Sequence, residues 1–426
     1  MLPSFGDVLE LMEAILCLHR RFGTGRHRLC GTGKGTGRFM TEEERKYAYF
    51  LCSIPGIGGV RAGQLLAQFG SPRGVYAAET GVLRQCVGGS VAETMEQQKK
   101  SGEWEREYGQ LAEKQIGFVL REEDGFPQKL AEIPDPPYGI FYRGRLPVAT
   151  EPAVAVIGAR ECSGYGRYVA EELGGYLGRA GIQVISGMAR GIDGISQQAA
   201  LSAGGTSYGI LGCGVDICYP SQNRRLYEEL LQKGGLLSTY MPGTKPLPQF
   251  FPPRNRIVSG LSDALIVIEA RQKSGTLITV DMALEQGKDV YVVPGRITDR
   301  LSDGCNRLLS QGAGVFLSPE NFVEEFLKNW EEKQGLSSEP SDGKKRGKYG
   351  RTNSGTRTKV KLPKESLQKI FECLGPVPKT SETLLQELWE MGEYTDISAL
   401  NRGLMELELS GFARQSTPGY FSTSTN

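Results

Sequence analysis

AVAVIGARECSGYG, residues 153–166, is the stretch that decides the fold: five consecutive apolar residues, a glycine, then a small-residue turn opening a helix-length segment. A strand covered on one face alternates apolar with polar, whereas one covered on both faces is apolar throughout. The same unit recurs as IQVISG (182–187), TSYGILG (206–212), GLLST (235–239), ALIVIEA (264–270), DVYVVPG (289–295) and GVFLS (314–318), with helix-length segments between them. Repetition of this kind predicts an α/β domain over residues 115–330, an extended Rossmann-like doubly wound sheet with its ligand crevice at the carboxyl ends of the strands. Two shorter runs, FVLRE (118–122) and GIFYRG (139–144), are separated by the proline turns DGFP and IPDPP, and are expected as extra strands flanking the main sheet.

Outside this domain the pattern changes. Residues 40–114 read as a small helical module, opened by a capping box at Thr41 and Glu44 and broken by turns at IPGIGG (54–59) and FGSPRG (69–74). Its PGIG turn resembles that of helix-hairpin-helix units, which present backbone N–H groups to phosphate; the same turn also simply joins packed helices. Residues 331–361 are polar and basic and are expected as a flexible linker. From 362 to 426 the apolar spacing marks three short helices (around Leu367 and Ile370, Leu384 and Leu388, Leu400 and Leu404), followed by FARQSTPGYF as a hairpin, which together predict a winged helix. Residues 1–39, rich in Arg, Gly and Thr after position 19, are expected as a disordered extension, with Met40 as a candidate first residue.

Composition narrows the chemistry. The formal charge of +1 rules out a global polycation, so an anionic partner has to be met by local patches. Glycine, 57 of 426 residues, points to close backbone approaches. The nine cysteines include no CxxC pair, and the nearest two, Cys213 and Cys218, lie in an apolar stretch, so neither a zinc site nor a disulfide framework is expected. Both histidines, His19 and His27, fall in the extension, which argues against a histidine-based triad or acid–base mechanism. With no membrane span or leader pattern, a cytoplasmic location is expected.

The loops after the strands carry the binding logic. GARECSGYG (158–166) lacks the GxGxxG spacing of a dinucleotide site, which disfavours a nicotinamide or flavin cofactor, but it offers Arg160 and Ser163 at a helix start. SGMARGID (186–193) adds Ser186, Gly187, Arg190 and Gly191, with Asp193 expected to anchor the loop or pin Arg190. In GCGVDICYP (212–220), Asp216, Tyr219 and Pro220 read as loop scaffold. FFPPRNR combines Phe250 and Phe251 with Arg254, Asn255 and Arg256, rings that stack bases beside cations that hold phosphates. Lys245 precedes it. KSGT supplies Lys273, Ser274, Gly275 and Thr276 at another helix start, and Asn306 lies in the last loop. Glu269, an acid beside these phosphate cradles, is expected to pair with Arg254 or Arg256.

SGMARGID, GCGVDICYP, FPPRNRIVSGLSDALIVIEA, KSGTLITVDMALEQGKDVYVVPG and DGCNRLLSQGA, taken in order, resemble the DNA-processing protein A (DprA/Smf) family. The resemblance implies a sterile-alpha-motif-like helical domain, a Rossmann domain that binds single-stranded DNA and forms a homodimer, often a winged helix, delivery of DNA to the RecA recombinase, and no catalysis. It places Arg160, Gly187, Arg190, Phe251, Arg254, Asn255 and Lys273 in the DNA pocket. Two departures stand out: Gln197 where the family commonly has histidine, and the extension before Met40. Glu406 and Glu408 beside a single Arg402 on the third helix of the predicted winged helix favour protein contact over duplex reading. The competing reading is a Rossmann-type nucleotide hydrolase or phosphoribohydrolase, against which stands EARQKSGTLIT in place of the PGGxGTxxE loop of such enzymes.

Overall fold

The computed structural model describes residues 40–334, 367–374, 379–390, 396–410, 412–417 and 420–423. The extension 1–39 with both histidines, and the linker from residue 335 on, lie outside the described residues.

Six helices come first: α1 (Glu42–Ser53), α2 (Gly59–Phe69), α3 (Pro72–Ala77), α4 (Thr80–Val87), α5 (Gly89–Ser101) and α6 (Glu103–Gly109). The capping box at the start of α1 is formed in full, Thr41 Oγ1 accepting from Glu44 N–H at 3.2 Å and Glu44 accepting from Thr41 N–H at 3.1 Å. Thr41→Ala is expected to cost about 1 kcal/mol, read as a lower urea midpoint at unchanged slope. Aromatic packing of Phe50, Tyr76 and Trp104 fills the module. Tyr49 carries that core onward to Phe118 and Phe141. In the PGIG turn, a Cβ on Gly59 would collide with the Pro136 carbonyl, so this glycine serves the close packing of α2 on the IPDPP turn.

The sheet domain runs β1 (Gly117–Leu120), α7 (Gln128–Ala131), β2 (Gly139–Gly144), β3 (Ala153–Ile157), α8 (Gly164–Arg179), β4 (Gln183–Ser186), α9 (Ile192–Ser202), β5 (Ser207–Ile210), α10 (Arg224–Lys233), β6 (Gly235–Ser238), α11 (Phe251–Gly260), β7 (Ala264–Val267), α12 (Gly275–Glu285), β8 (Asp289–Val292), α13 (Asp303–Ser310), β9 (Gly314–Val315) and α14 (Pro319–Lys333). Nine strands form one sheet in the order β1-β2-β6-β5-β4-β3-β7-β8-β9. β3 to β9 pair in parallel, and β1 and β2 close one edge antiparallel. Ala153, Ala155 and Ile157 face one apolar layer with Ile257 and Val280, while Val154 and Val156 face the other with Leu173 and Phe322. Burial on both faces is the reason β3 and β7 are apolar throughout. Strand order reverses at β3, which has β4 on one side and β7 on the other, so the loops after β3, β4 and β7 open onto one crevice.

The last described segment contains α15 (Gln368–Cys373), β10 (Lys379–Thr380), α16 (Ser381–Glu390), α17 (Ile397–Leu409), β11 (Ala413–Thr417) and β12 (Tyr420–Thr423). Ile370, Leu384, Leu388, Leu400, Leu404 and Leu407 close its core, and its strands pair in the order β10-β12-β11. Among the described residues no helix is long and apolar enough to cross a membrane.

Candidate nucleic-acid interface

Three helices start at the crevice, and two of them, α8 and α12, differ in what covers their first N–H groups. At α8 the end is closed from within. Ser163 Oγ accepts from Gly166 N–H at 3.0 Å and donates to Glu269, whose other carboxylate oxygen accepts from Ser163 N–H at 3.0 Å. Glu269 is fully buried beyond the end of β7, and Gly166 is required beside it because a Cβ there would press on the carboxylate. The position where a Rossmann domain takes a phosphate therefore already holds an anion. This corrects two expectations. Ser163 has its hydroxyl committed to an internal carboxylate, and Glu269 pairs with Ser163 rather than with Arg254 or Arg256. Arg256 instead reaches Asp135 at 3.2 Å.

The start of α12 is open. Ser274, its N-cap residue, makes no capping hydrogen bond, and its buried Oγ has no partner among the described residues. Gly275 faces open space and Lys273 is exposed without an ion pair among the described residues. Thr276 is turned inward, its hydroxyl donating to the Gly158 carbonyl at 3.4 Å.

Between these ends Phe251 gathers the cations. The Arg160 guanidinium carbon lies 5.7 Å from the centre of its ring and that of Arg254 lies 5.8 Å away, both within cation–π range. Gly212 lets the ring settle on the end of β5, and the Tyr219 ring stands 5.6 Å away, tilted by 39°. Arg160 is exposed; Arg254 is only 6% exposed, its Nε without a partner among the described residues. Burial pushes the Arg254 guanidinium below its ordinary range, opposed by the nearby Asp193 carboxylate and reinforced by the charge of Arg160. Burial likewise pushes the Asp193 carboxyl up, against Arg254 and the Gly187 N–H, which donates to it at 3.1 Å. Gly187 leaves room for the Arg254 guanidinium, which a Cβ there would displace. Gly191, at φ +72°, lets its loop press against the carbonyls of Ala159 and Arg160.

The remaining expected residues divide between surface and scaffold. Arg190 and Lys245 are exposed and in no ion pair among the described residues, so Asp193 pins Gly187 and faces Arg254 rather than holding Arg190. Ser186 is fully buried and donates to the Val156 carbonyl at 2.6 Å, behind the crevice surface. Asn306 grips Gly295, accepting from its N–H at 3.2 Å and donating to its carbonyl at 3.1 Å. Asn255 is half-buried on α11 with no side-chain hydrogen bond among the described residues. Phe250 packs on Tyr240, ring centres 4.4 Å apart, so of the two adjacent rings it is Phe251 that meets the arginines.

The family model for DNA recombination-mediator protein A matches residues 117–327, which span the whole crevice. The DNA processing protein DprA of Streptococcus pneumoniae is 42% identical over 204 residues, covering 48% of this chain and 72% of that protein. The chain belongs to the DNA-processing protein A family. Protein Smf of Escherichia coli is 34% identical over 307 residues, covering 71% of this chain and 76% of that protein. The X-ray structure of DNA processing protein A from Streptococcus pneumoniae superposes with a TM-score of 0.57 at 30% identity, covering 67% of this chain and 99% of that one. Gln197, where the family commonly has histidine, is fully buried here. Its amide accepts from Met188 N–H at 3.1 Å and donates to Ser207 Oγ and the Tyr208 carbonyl, each at 3.0 Å, tying the SGMARGID loop to β5.

Proposed function

We propose that the crevice binds single-stranded DNA without sequence preference and without catalysis, that the protein shields such strands and helps load the RecA recombinase on them, and that it works as a homodimer through the sheet domain. The observation that carries this reading is Phe251 under the two guanidiniums of Arg160 and Arg254, with Arg190, Lys245 and Lys273 exposed on neighbouring loops. Rings beside an open line of cations suit a chain of phosphates bearing bases. The nucleotide-hydrolase alternative is disfavoured by Glu269, whose carboxylate occupies the start of α8. The two buried carboxylates of these loops are also committed, Asp193 to Gly187 and Glu269 to Ser163, which leaves neither free as a general base. Exposed Val315 and Leu317 at the β9 edge offer apolar surface for pairing two copies. The C-terminal module is read as a winged helix for protein contact, since α17 exposes Met405 and Leu409.

Oligothymidylate binding across a salt series tests the pocket. Arg160 and Lys273 are the residues to change, being exposed cations whose loss spares the core. Each alanine variant is expected to weaken binding and to flatten the plot of log affinity against log salt by about 0.7. Unchanged slopes, or equal affinity for duplex, would remove the pocket assignment; steady nucleotide turnover lost in the same variants would favour the enzyme.

A further inference from the structure

Tyr219 was expected to be part of a loop scaffold, yet it is 42% exposed at the rim of the crevice. The residues around it are held firmly. Val215, four positions earlier, is fully buried and its carbonyl accepts from Tyr227 Oη at 2.7 Å. Asp216 accepts from Gly243 N–H at 2.8 Å, and Gly214 N–H donates to the Thr244 carbonyl at 2.9 Å. On the other side Asn223 donates to the carbonyls of Met188 and Ala189 at 2.9 and 3.0 Å, which fastens this loop to SGMARGID. Tyr219 thus projects from a segment anchored at both ends, and its hydroxyl makes no hydrogen bond among the described residues.

A large ring left 42% exposed by a fixed loop forfeits part of the gain of burying it, unless a ligand covers it. The partner ring is at hand: Phe251 lies 5.6 Å away at an angle of 39°, so the two rings are neighbours but not parallel and present separate faces. Arg160, over Phe251, supplies charge to hold the backbone between successive bases.

We propose that Tyr219 is a second base-stacking residue, which takes an unpaired base next to the one at Phe251. This rests on the single-stranded DNA reading above. Its ligand is a nucleobase face, and its contribution is independent of phosphate.

The test compares oligothymidylate with an abasic deoxyribose-phosphate strand of equal length, using the full chain. Tyr219→Ala is expected to bind oligothymidylate about tenfold more weakly, with an unchanged salt slope and unchanged binding of the abasic strand. Tyr219→Phe should bind like the parent. In Tyr219→Trp, which keeps a ring whether or not the alanine variant folds, oligothymidylate should quench the added emission and the abasic strand should not. Parent-like affinity in Tyr219→Ala, equal loss on both strands, or no quenching in Tyr219→Trp would overturn the proposal. A parent that binds single strands no better than duplex would instead overturn the reading on which it rests, and the stack with it.

Discussion

Arg254→Ala should destabilise the fold by about 1–3 kcal/mol as well as weaken DNA binding, because the buried Asp193 loses the charge that favours its ionised form. Thermal or urea unfolding measures the first effect. The Asp193 carboxyl is already held above its ordinary range by burial, and Arg254 is the charge that pulls it back. The folded state therefore binds this proton more readily than the unfolded state does, and the group's contribution to stability declines as pH rises through its folded value. Removing Arg254 raises that value further, so the deficit of the variant should widen from acid toward neutral pH. Asp193→Asn in the same background should recover much of the loss, since an amide costs less to bury than an unpaired carboxylate. A deficit that does not vary with pH and persists in the double variant would show that Arg254 is merely packed there. The same reasoning makes Arg254 a poor probe of phosphate contact, because lost binding would be confounded with lost structure.

Glu269→Ala should cost about 3 kcal/mol, for it removes a fully buried carboxylate and strips the half-buried Ser163 of the acceptor to both its N–H and its hydroxyl. It also leaves a space where an anion sat against the first turn of α8. Formate or phosphate added to the variant should raise its melting temperature more than that of the parent, since small anions favour such positions. Glu269→Gln, which keeps one acceptor oxygen, should lose less and respond less. If the alanine variant melts like the parent, the carboxylate does not close this helix.

β3 to β7 were legible because burial on both faces enriches a strand in apolar residues, and β1 and β2 because proline turns flank them, whereas β8 and β9 show as short apolar runs although some of their residues are exposed. The crevice was legible as a location for the same reason, since strand ends carry Gly and small polar residues. Division of labour inside it was not. Ser163 and Arg160 stand three positions apart, yet one is sealed by an acid 106 residues away and the other lies open above Phe251. Arg254 and Arg256 look alike in FFPPRNR, but two residues of α11 turn the chain by about 200° and so send one toward Asp193 and Phe251 and the other to Asp135. Sequence by itself determined the doubly wound sheet, the family and the sheet edge at which the candidate binding residues gather, because hydrophobic period and loop motifs are local. Only the tertiary structure decided which cations stay free, which acids are committed and which ring faces water, because each depends on a side chain brought in from a distant strand end.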